Sequence, residues 1–381
     1  MEKEAKKTTR KIDLGNIFIL ITILLGIILV INIFLTYNLN QEIKKSIQES
    51  QEKLKPAKIE LAAIKDSKCS DCFDISTVIS HIKNAKPNIT KESIFEFNSK
   101  EGKELIGKYR IEKIPTVIVT GEIDKFSIQG LDKRQDALLL ANPLPPYTNA
   151  ATGKIEGRVT LYHLKDSKCD KCNDLTPLID QIKGGGVRIY QEKIVEPGSD
   201  EGKELAKKYS IDFVPSLVLS QDAGVYELIQ QSWNQIGSKE NDGSYITRLV
   251  FPPFLNLTTG KVRGLVNIVY LNDSSCSECY DVKRHKEVLT DLEGYAIKLE
   301  REETFDISDA KGKELAAKYN ITKVPIVILS DEVSVYPSSS ALKQFFSIEK
   351  DGSFVFRLAE AVGTYRDLTT SQVVKAQTEE Q

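Results

Sequence analysis

Residues 100–120 read KEGKELIGKYRIEKIPTVIVT, and the same passage is written twice more, as DEGKELAKKYSIDFVPSLVLS at 200–220 and AKGKELAAKYNITKVPIVILS at 310–330. In each copy the glycine of Gly-Lys-Glu-Leu precedes a proline by 13 positions: Gly102 to Pro115, Gly202 to Pro215 and Gly312 to Pro325. Upstream of each lies a Cys-x-x-Cys pair: Cys69/Cys72, Cys169/Cys172 and Cys276/Cys279. The intervals from first cysteine to proline are 46, 46 and 49 residues. A period of roughly one hundred residues is too long for a solenoid unit and suits a small domain in tandem.

Each copy has a chemistry. A strand-like run, KIEGRVTLYHL at 154–164, leads into KDSKCDKC and then an amphipathic segment, NDLTPLIDQIK. Ser167 is the expected helix cap, which puts Cys169 in the first helical turn and Cys172 one turn further on the same face. There the unpaired N–H groups and the helix dipole favour a thiolate. Thiols at i and i+3 can close a disulfide, and the exposed one can attack a disulfide on another protein. Each later proline opens a β-branched strand, a place where it gives up no needed ladder bond and where a cis bond is tolerated.

Cys-x-x-Cys opening a helix, followed about 45 residues later by Ile/Val-Pro opening a strand, resembles the thioredoxin superfamily. The resemblance covers the chain from about residue 56 onward. It implies an α/β fold of three tandem thioredoxin-like domains, each a central mixed sheet flanked by helices. It also implies attacking thiols Cys69, Cys169 and Cys276, resolving thiols Cys72, Cys172 and Cys279, and substrate-binding cis prolines Pro115, Pro215 and Pro325. The chain departs from thioredoxin in lacking the Trp and Gly-Pro of its motif. Ala63, His163 and Tyr270 stand where thioredoxin keeps a buried carboxylate.

The chain has 381 residues, a formal charge of −2 and 41% hydrophobic residues, so nothing points to nucleic acid as a partner. All six cysteines fall in the three pairs, which fits an oxidising compartment, and nothing in the pattern calls for a cofactor or metal. Residues 1–13 form a basic head, and 14–37 run 24 residues without a charge, long enough for a transmembrane helix. No small-residue cleavage site follows. Head and span together predict a single-pass anchor with an extracytoplasmic body, against which Lys44, Lys45, Lys53 and Lys55 weigh. Residues 38–55 read as a helical stalk. Its stripe of Leu39, Ile43, Ile47 and Leu54 either rests on the first domain or pairs two stalks in a homodimer. Turn-rich NPLPPYTNAAT and FPPFLNLTT end the first two domains, giving domains at 56–150, 151–258 and 259–381.

Within the first domain the patterns predict strands at 59–64 and 93–98 and helices at 70–84 and 101–110. A hairpin of 116–120 with 125–129 and a closing helix at 131–141 follow. In the later domains ENDGSYITRL and EKDGSFVFRL suggest a hairpin in place of that helix. Trp233 reads as core and Gly184–Gly186 as a turn. His81, His163 and His285 are not spaced for metal; His163 alone is a candidate proton shuttle. Asn88, Asn256, Asn272 and Asn320 begin glycosylation triplets, which are permissive for export.

The function expected is a membrane-anchored thiol–disulfide oxidoreductase acting on protein thiols and disulfides. A non-catalytic scaffold with permanent disulfides is the main alternative, with a metal site behind it. Charges around the three pairs sum to 0 (Lys68, Asp71), +1 (Lys168, Asp170, Lys171) and −1 (Glu278). On that count the second site is the most oxidising and the third the most reducing.

Overall fold

A computed structural model describes residues 14–375. The basic head lies outside the described residues. One compact unit ends at Pro143 and takes in Thr148–Thr152; the other takes Leu144–Tyr147 and continues from Gly153.

Helix α1, Leu14–Leu54, is a single helix of 41 residues. At 1.5 Å per residue it is about 62 Å long, roughly twice a bilayer's hydrocarbon thickness. By length and composition it is apolar enough to cross a membrane. Span and stalk are thus one rod, and Leu39, Ile43 and Ile47 are exposed on it rather than covered by the first repeat.

Beyond it, three five-stranded sheets repeat one plan. In the first, β1 (Lys58–Lys65) is followed by α2 (Ser76–Asn84), β2 (Asn88–Glu96), α3 (Lys100–Tyr109), β3 (Lys113–Ile114) and β4 (Thr116–Gly121). Then come β5 (Asp132–Arg134), β6 (Ala137–Leu139) and β7 (Tyr147–Asn149). The sheet order is β2-β1-β4-β6-β5, with β1 parallel to β2 and antiparallel to β4. Apolar residues alternate inward along β1 at Ile59, Leu61 and Ala63, while Ile64 is buried in a second cluster on the opposite face.

The second strand starts earlier than the expected 93–98, at Asn88, and two further expectations are corrected. Residues 131–141 are not a helix: Asp132–Arg134 and Ala137–Leu139 form an antiparallel hairpin. Residues 125–129 are not a strand, since a 3-10 turn, Ile123–Lys125, ends in an extended link there. The hairpin recurs in the second repeat (Gly237–Lys239 with Tyr245–Thr247) and in the third (Phe346–Ile348 with Phe354–Phe356), as Asp-Gly suggested. The three hairpins share a clamp. The Lys-Tyr pair ending each Gly-Lys-Glu-Leu helix reaches the carboxylate at the hairpin tip. Lys108 binds Asp136 at 2.9 Å, Lys208 binds Asp242 at 2.8 Å and Lys318 binds Asp351 at 2.7 Å. The buried Tyr209 and Tyr319 hydroxyls donate to the same Asp242 and Asp351 at 2.9 Å. Trp233 is core, donating Nε1–H to Ile246 O at 3.3 Å.

The repeated glycine has a steric reason. A Cβ on Gly102, Gly202 or Gly312 would come within 2.2, 2.0 or 1.9 Å of the carbonyl oxygen of Glu96, Glu196 or Asp306. The helix therefore presses its first turn onto the end of the neighbouring strand, where only glycine fits. Ser99 and Ser199 cap the helices there, accepting Gly102 N–H and Gly202 N–H at 3.0 Å.

Candidate functional site

In each repeat the chain leaves the C-terminal end of the strand that comes first along the chain in its five-stranded sheet (β1, Val159–Leu164 or Leu265–Asn272) and turns through its cysteine pair. All three pairs are closed: Cys69–Cys72, Cys169–Cys172 and Cys276–Cys279, with S–S 2.05, 2.05 and 2.04 Å. Cys69 and Cys276 are only 8% and 9% exposed, whereas Cys169 and all three second cysteines are partly exposed.

The cysteines do not lie in a helix's first turn. The helices begin later, at Ser76, Thr176 and Arg284. Ser167 is no helix cap, because its hydroxyl is bound to Glu196 Oε1, and Ser67 Oγ–H likewise donates to Glu96 Oε1. Those bonds hold Glu96 and Glu196 below the usual carboxylate range. An aspartate two residues after each second cysteine starts the next turn instead. Asp74 Oδ1 accepts Ser76 N–H at 2.9 Å, Asp174 Oδ1 accepts Thr176 N–H at 2.9 Å and Asp281 Oδ1 accepts Lys283 N–H at 3.0 Å. The dipole at the helix start is thus displaced from the sulfurs, and its pull fades beyond the first turn.

A second aspartate, three residues before each first cysteine, shapes the cysteine turn. Asp66, Asp166 and Asp273 accept the first cysteine's N–H on their backbone oxygens at 3.0, 3.1 and 3.0 Å. Their Oδ1 atoms accept the N–H of Lys68, Lys168 and Ser275 at 3.0, 2.9 and 2.9 Å. The Asp-Ser-x-Cys repetition was visible in the sequence, but nothing there showed what the carboxylates face.

What they face comes, in the first two repeats, from stretches that read as domain ends, and in the third from the matching stretch near the end of the described residues. NPLPPYTNAAT contains β7, whose Thr148 pairs with Ile114 of β3, the residue before Pro115. The counterparts are Leu255, paired with Val214, and Arg366, paired with Val324. These returning strands place position 148, 255 or 366 beside the aspartate. Thr148 Oγ1–H donates to Asp66 Oδ2 at 2.8 Å, and the same oxygen lies 3.9 Å from Cys72 Sγ. Arg366 Nε meets the buried Asp273 Oδ2 as an ion pair, and its Nη2–H donates to Ser275 Oγ at 3.2 Å. Aligning PPYTN, PPFLN and GTYRD would have revealed the equivalence.

Ile114–Pro115, Val214–Pro215 and Val324–Pro325 are cis. In the third repeat Tyr280, next to Cys279, donates its hydroxyl to Pro325 O at 2.5 Å. With that proton committed, the 3.2 Å contact to His285 Nε2 requires His285 to donate. Burial keeps His285 neutral, pushing its pKa down to about 4. His163 is buried in its strand, and burial lowers its pKa also. Among the described residues its Nε2 has no hydrogen-bond partner, and no bond joins it to Cys169 or Cys172. Tyr270 is buried with its hydroxyl donating to Glu302 Oε2 at 3.3 Å. His81 is exposed.

Tertiary partners also change the local charge. Asp71 Oδ1 lies 3.7 Å from Cys69 Sγ. Lys171 is paired with Glu300 at 2.7 Å, and Glu278 with Lys375 at 3.0 Å. The +1 and −1 counted along the second and third motifs are therefore each offset by a partner distant in sequence.

No family model matches the chain, and no curated protein matches it. Among solved structures it is similar to the alkylhydroperoxide reductase protein AhpF of Enterococcus faecalis, at 15% identity over 47% of this chain and 88% of that one, TM-score 0.15. A protein disulfide oxidoreductase from Aeropyrum pernix has 17% identity over 47% and 82%, TM-score 0.14. Human ERp44 has 10% identity over 77% and 87%, TM-score 0.13. Overlaps this loose say nothing of activity, and the fold is read from the chain's own topology. Its parallel crossover, its strand order, and the placing of cysteine pair and cis proline make the chain three thioredoxin-like units in tandem behind one apolar helix.

Proposed function

We propose that the chain is a membrane-anchored thiol–disulfide oxidoreductase that exchanges disulfides with exported protein thiols. The modules are residues 56–150, 151–258 and 259–381, and residues 14–37 of α1 are the anchor. The observation that carries the reading is the thrice-repeated site. A partly exposed disulfide of three-residue separation is held by an aspartate-capped turn beside a strand that pairs with the residue before a cis proline. In this reading Cys69, Cys169 and Cys276 attack and Cys72, Cys172 and Cys279 resolve. That order is taken from position in the motif and not from exposure, since Cys69 and Cys276 are the less exposed members of their pairs. The backbone before Pro115, Pro215 and Pro325 receives the substrate chain. Pairing of stalks through Leu39, Ile43 and Ile47 belongs to the same proposal, as does an extracytoplasmic body.

Replacing a resolving cysteine with Ser leaves a mixed disulfide that cannot be released. Cys72→Ser, Cys172→Ser and Cys279→Ser chains, acid-quenched in intact cells, are expected to carry protein adducts that dithiothreitol removes. An impermeant maleimide applied to those cells after reduction should label the body. Absence of adducts in all three variants, and equally in the reciprocal Cys69→Ser, Cys169→Ser and Cys276→Ser chains, would end the oxidoreductase proposal.

A scaffold with permanent disulfides has two observations in its favour: the carboxylate 3.7 Å from Cys69 Sγ, and helices that start beyond the cysteines. Both disfavour a thiolate. In that case all three pairs resist glutathione buffers and no adduct forms.

A further inference from the structure

The first site contains a line of atoms that the other two lack. Cys72 Sγ, Thr148 Oγ1 and Asp66 Oδ2 follow one another at 3.9 and 2.8 Å. Thr148 is fully buried on β7, and backbone pairing with Ile114 fixes it. Asp66 is fixed by its own turn, with Oδ1 occupied by Lys68 N–H at 3.0 Å. In the closed disulfide the sulfur has no proton to give and Thr148's proton is committed to Asp66. Once the pair is reduced, the Cys72 thiol can donate to the remaining lone pair of Thr148. Leu255 in the second repeat cannot relay a proton, and Arg366 in the third occupies its aspartate with a fixed positive charge.

We propose that Thr148 and Asp66 deprotonate the resolving thiol of the first site, making it mechanistically distinct from the other two. The inference rests on the oxidoreductase reading above. Its starting point is a mixed disulfide between Cys69 and a substrate sulfur. Thr148 takes the proton from Cys72 Sγ while passing its own proton to Asp66 Oδ2, and so ends unchanged. The Cys72 thiolate attacks Cys69 Sγ, forming the Cys69–Cys72 bond. The Cys69–substrate bond breaks, and its electron pair leaves on the substrate sulfur. Two electrons have then passed from the cysteine pair to the substrate, and the Asp66 proton returns to the departing thiolate or to water. In the oxidising direction every step reverses, with Asp66 supplying the proton to Cys72 as it leaves. Thr148 touches a reacting atom; Asp66 acts through Thr148 and is a positioning residue.

An ordinary thiol titrates near 8.5 and is only about 3% thiolate at pH 7, so a base in line with Cys72 has a substantial rate to supply. General-base assistance is typically worth about 10²- to 10⁴-fold. The test uses the full chain with Cys169, Cys172, Cys276 and Cys279 replaced by Ser. The protein is reduced, mixed with oxidised glutathione, acid-quenched at intervals and read by mass for the glutathione adduct and its decay. At pH 6.5, Thr148→Val and Asp66→Asn should slow adduct decay by about tenfold or more. Asn can still accept Lys68 N–H but takes no proton. At pH 9.5 the variants should decay at the parent's rate, because solvent then ionises the thiol. Thr148→Ser keeps the hydroxyl and should behave as the parent at both pH values. Equal decay of parent and Thr148→Val at pH 6.5 overturns the relay. So does the same slowing at both pH values, which marks a structural defect. Formation of neither adduct nor disulfide by the parent sinks the oxidoreductase reading, and the relay with it.

Discussion

Replacing Arg366 by Leu would give the third repeat the residue that the second carries at Leu255. The exchange is not neutral, because the aspartates differ in burial. Asp273 is buried, its side chain 6% exposed, and Arg366 is the cation in contact with it, 21% exposed. Asp166 in the second repeat is only partly buried. Two unit charges about 4 Å apart attract by about 4 kcal/mol at an effective dielectric near 20, and breaking one side of a buried pair costs about 3–5 kcal/mol. Arg366 is a fifth exposed, so water entering its place offsets part of that, leaving about 2–4 kcal/mol. Global denaturation is the wrong assay for a chain of several modules, and Trp233 reports only the second repeat. Amide exchange read on peptides covering Leu265–Asn272 isolates the third repeat's central strand. Arg366→Leu should accelerate exchange there by about 30- to 1,000-fold. Adding Asp273→Asn should recover most of the loss, since the amide still accepts Ser275 N–H without leaving a charge buried. Unchanged exchange in Arg366→Leu would refute the reasoning. So would a double variant as unstable as the single one, because the cost would then not be the stranded carboxylate.

The third repeat should also lose stability in mild acid. His285 has its pKa pushed down to about 4 by burial, against about 6.5 unfolded, so the unfolded chain binds the extra proton first. Its contribution is full above pH 6.5 and is lost as pH falls toward 4, by at most about 3 kcal/mol. His285→Phe should flatten that window in exchange experiments on the same peptides, and an unaltered slope would contradict the assignment. Gly202→Ala should destabilise the second repeat by about 1–3 kcal/mol, since its Cβ would lie 2.0 Å from Glu196 O. Gly107→Ala, on the open face of α3, should stabilise the first by about 0.5–1 kcal/mol. Equal effects at the two glycines, measured by exchange, would discount the steric argument. Glu300→Gln should free the charge of Lys171 and raise the second site's reduction potential by about 10–20 mV against glutathione buffers. No change would mean that this surface pair does not reach the disulfide.

Much of this architecture is legible in one dimension because the chain states it three times. The interval from cysteine pair to proline locates the end of one strand and the start of another. The apolar runs after Pro115, Pro215 and Pro325 are strands wherever they are read, since their length and composition suit a buried sheet. The uncharged stretch at 14–37 declares a helix long enough for a bilayer by length alone. These are local properties, carried by propensity and periodicity. The closing hairpin of the first repeat was not legible, because 131–141 has enough apolar residues for a helix. The contacts that decide against it pair the buried Ala137–Leu139 with β4, as in Leu139 against Ile118, 21 residues apart. Nor could the sequence show that Ser167 is bound to Glu196 and so cannot cap a helix, or that the cysteines precede the helix. The differences among the three sites are tertiary altogether. Thr148 and Leu255 lie in segments that look like linkers and Arg366 in a stretch that the sequence patterns leave unassigned, and only β-pairing with the residues before the cis prolines brings them to the aspartates. Glu300 and Lys375 offset charges that a count along the motifs leaves standing. Electrostatic forces act through space, so the identity of a cysteine pair's neighbours becomes a property of the sequence only after the chain has folded.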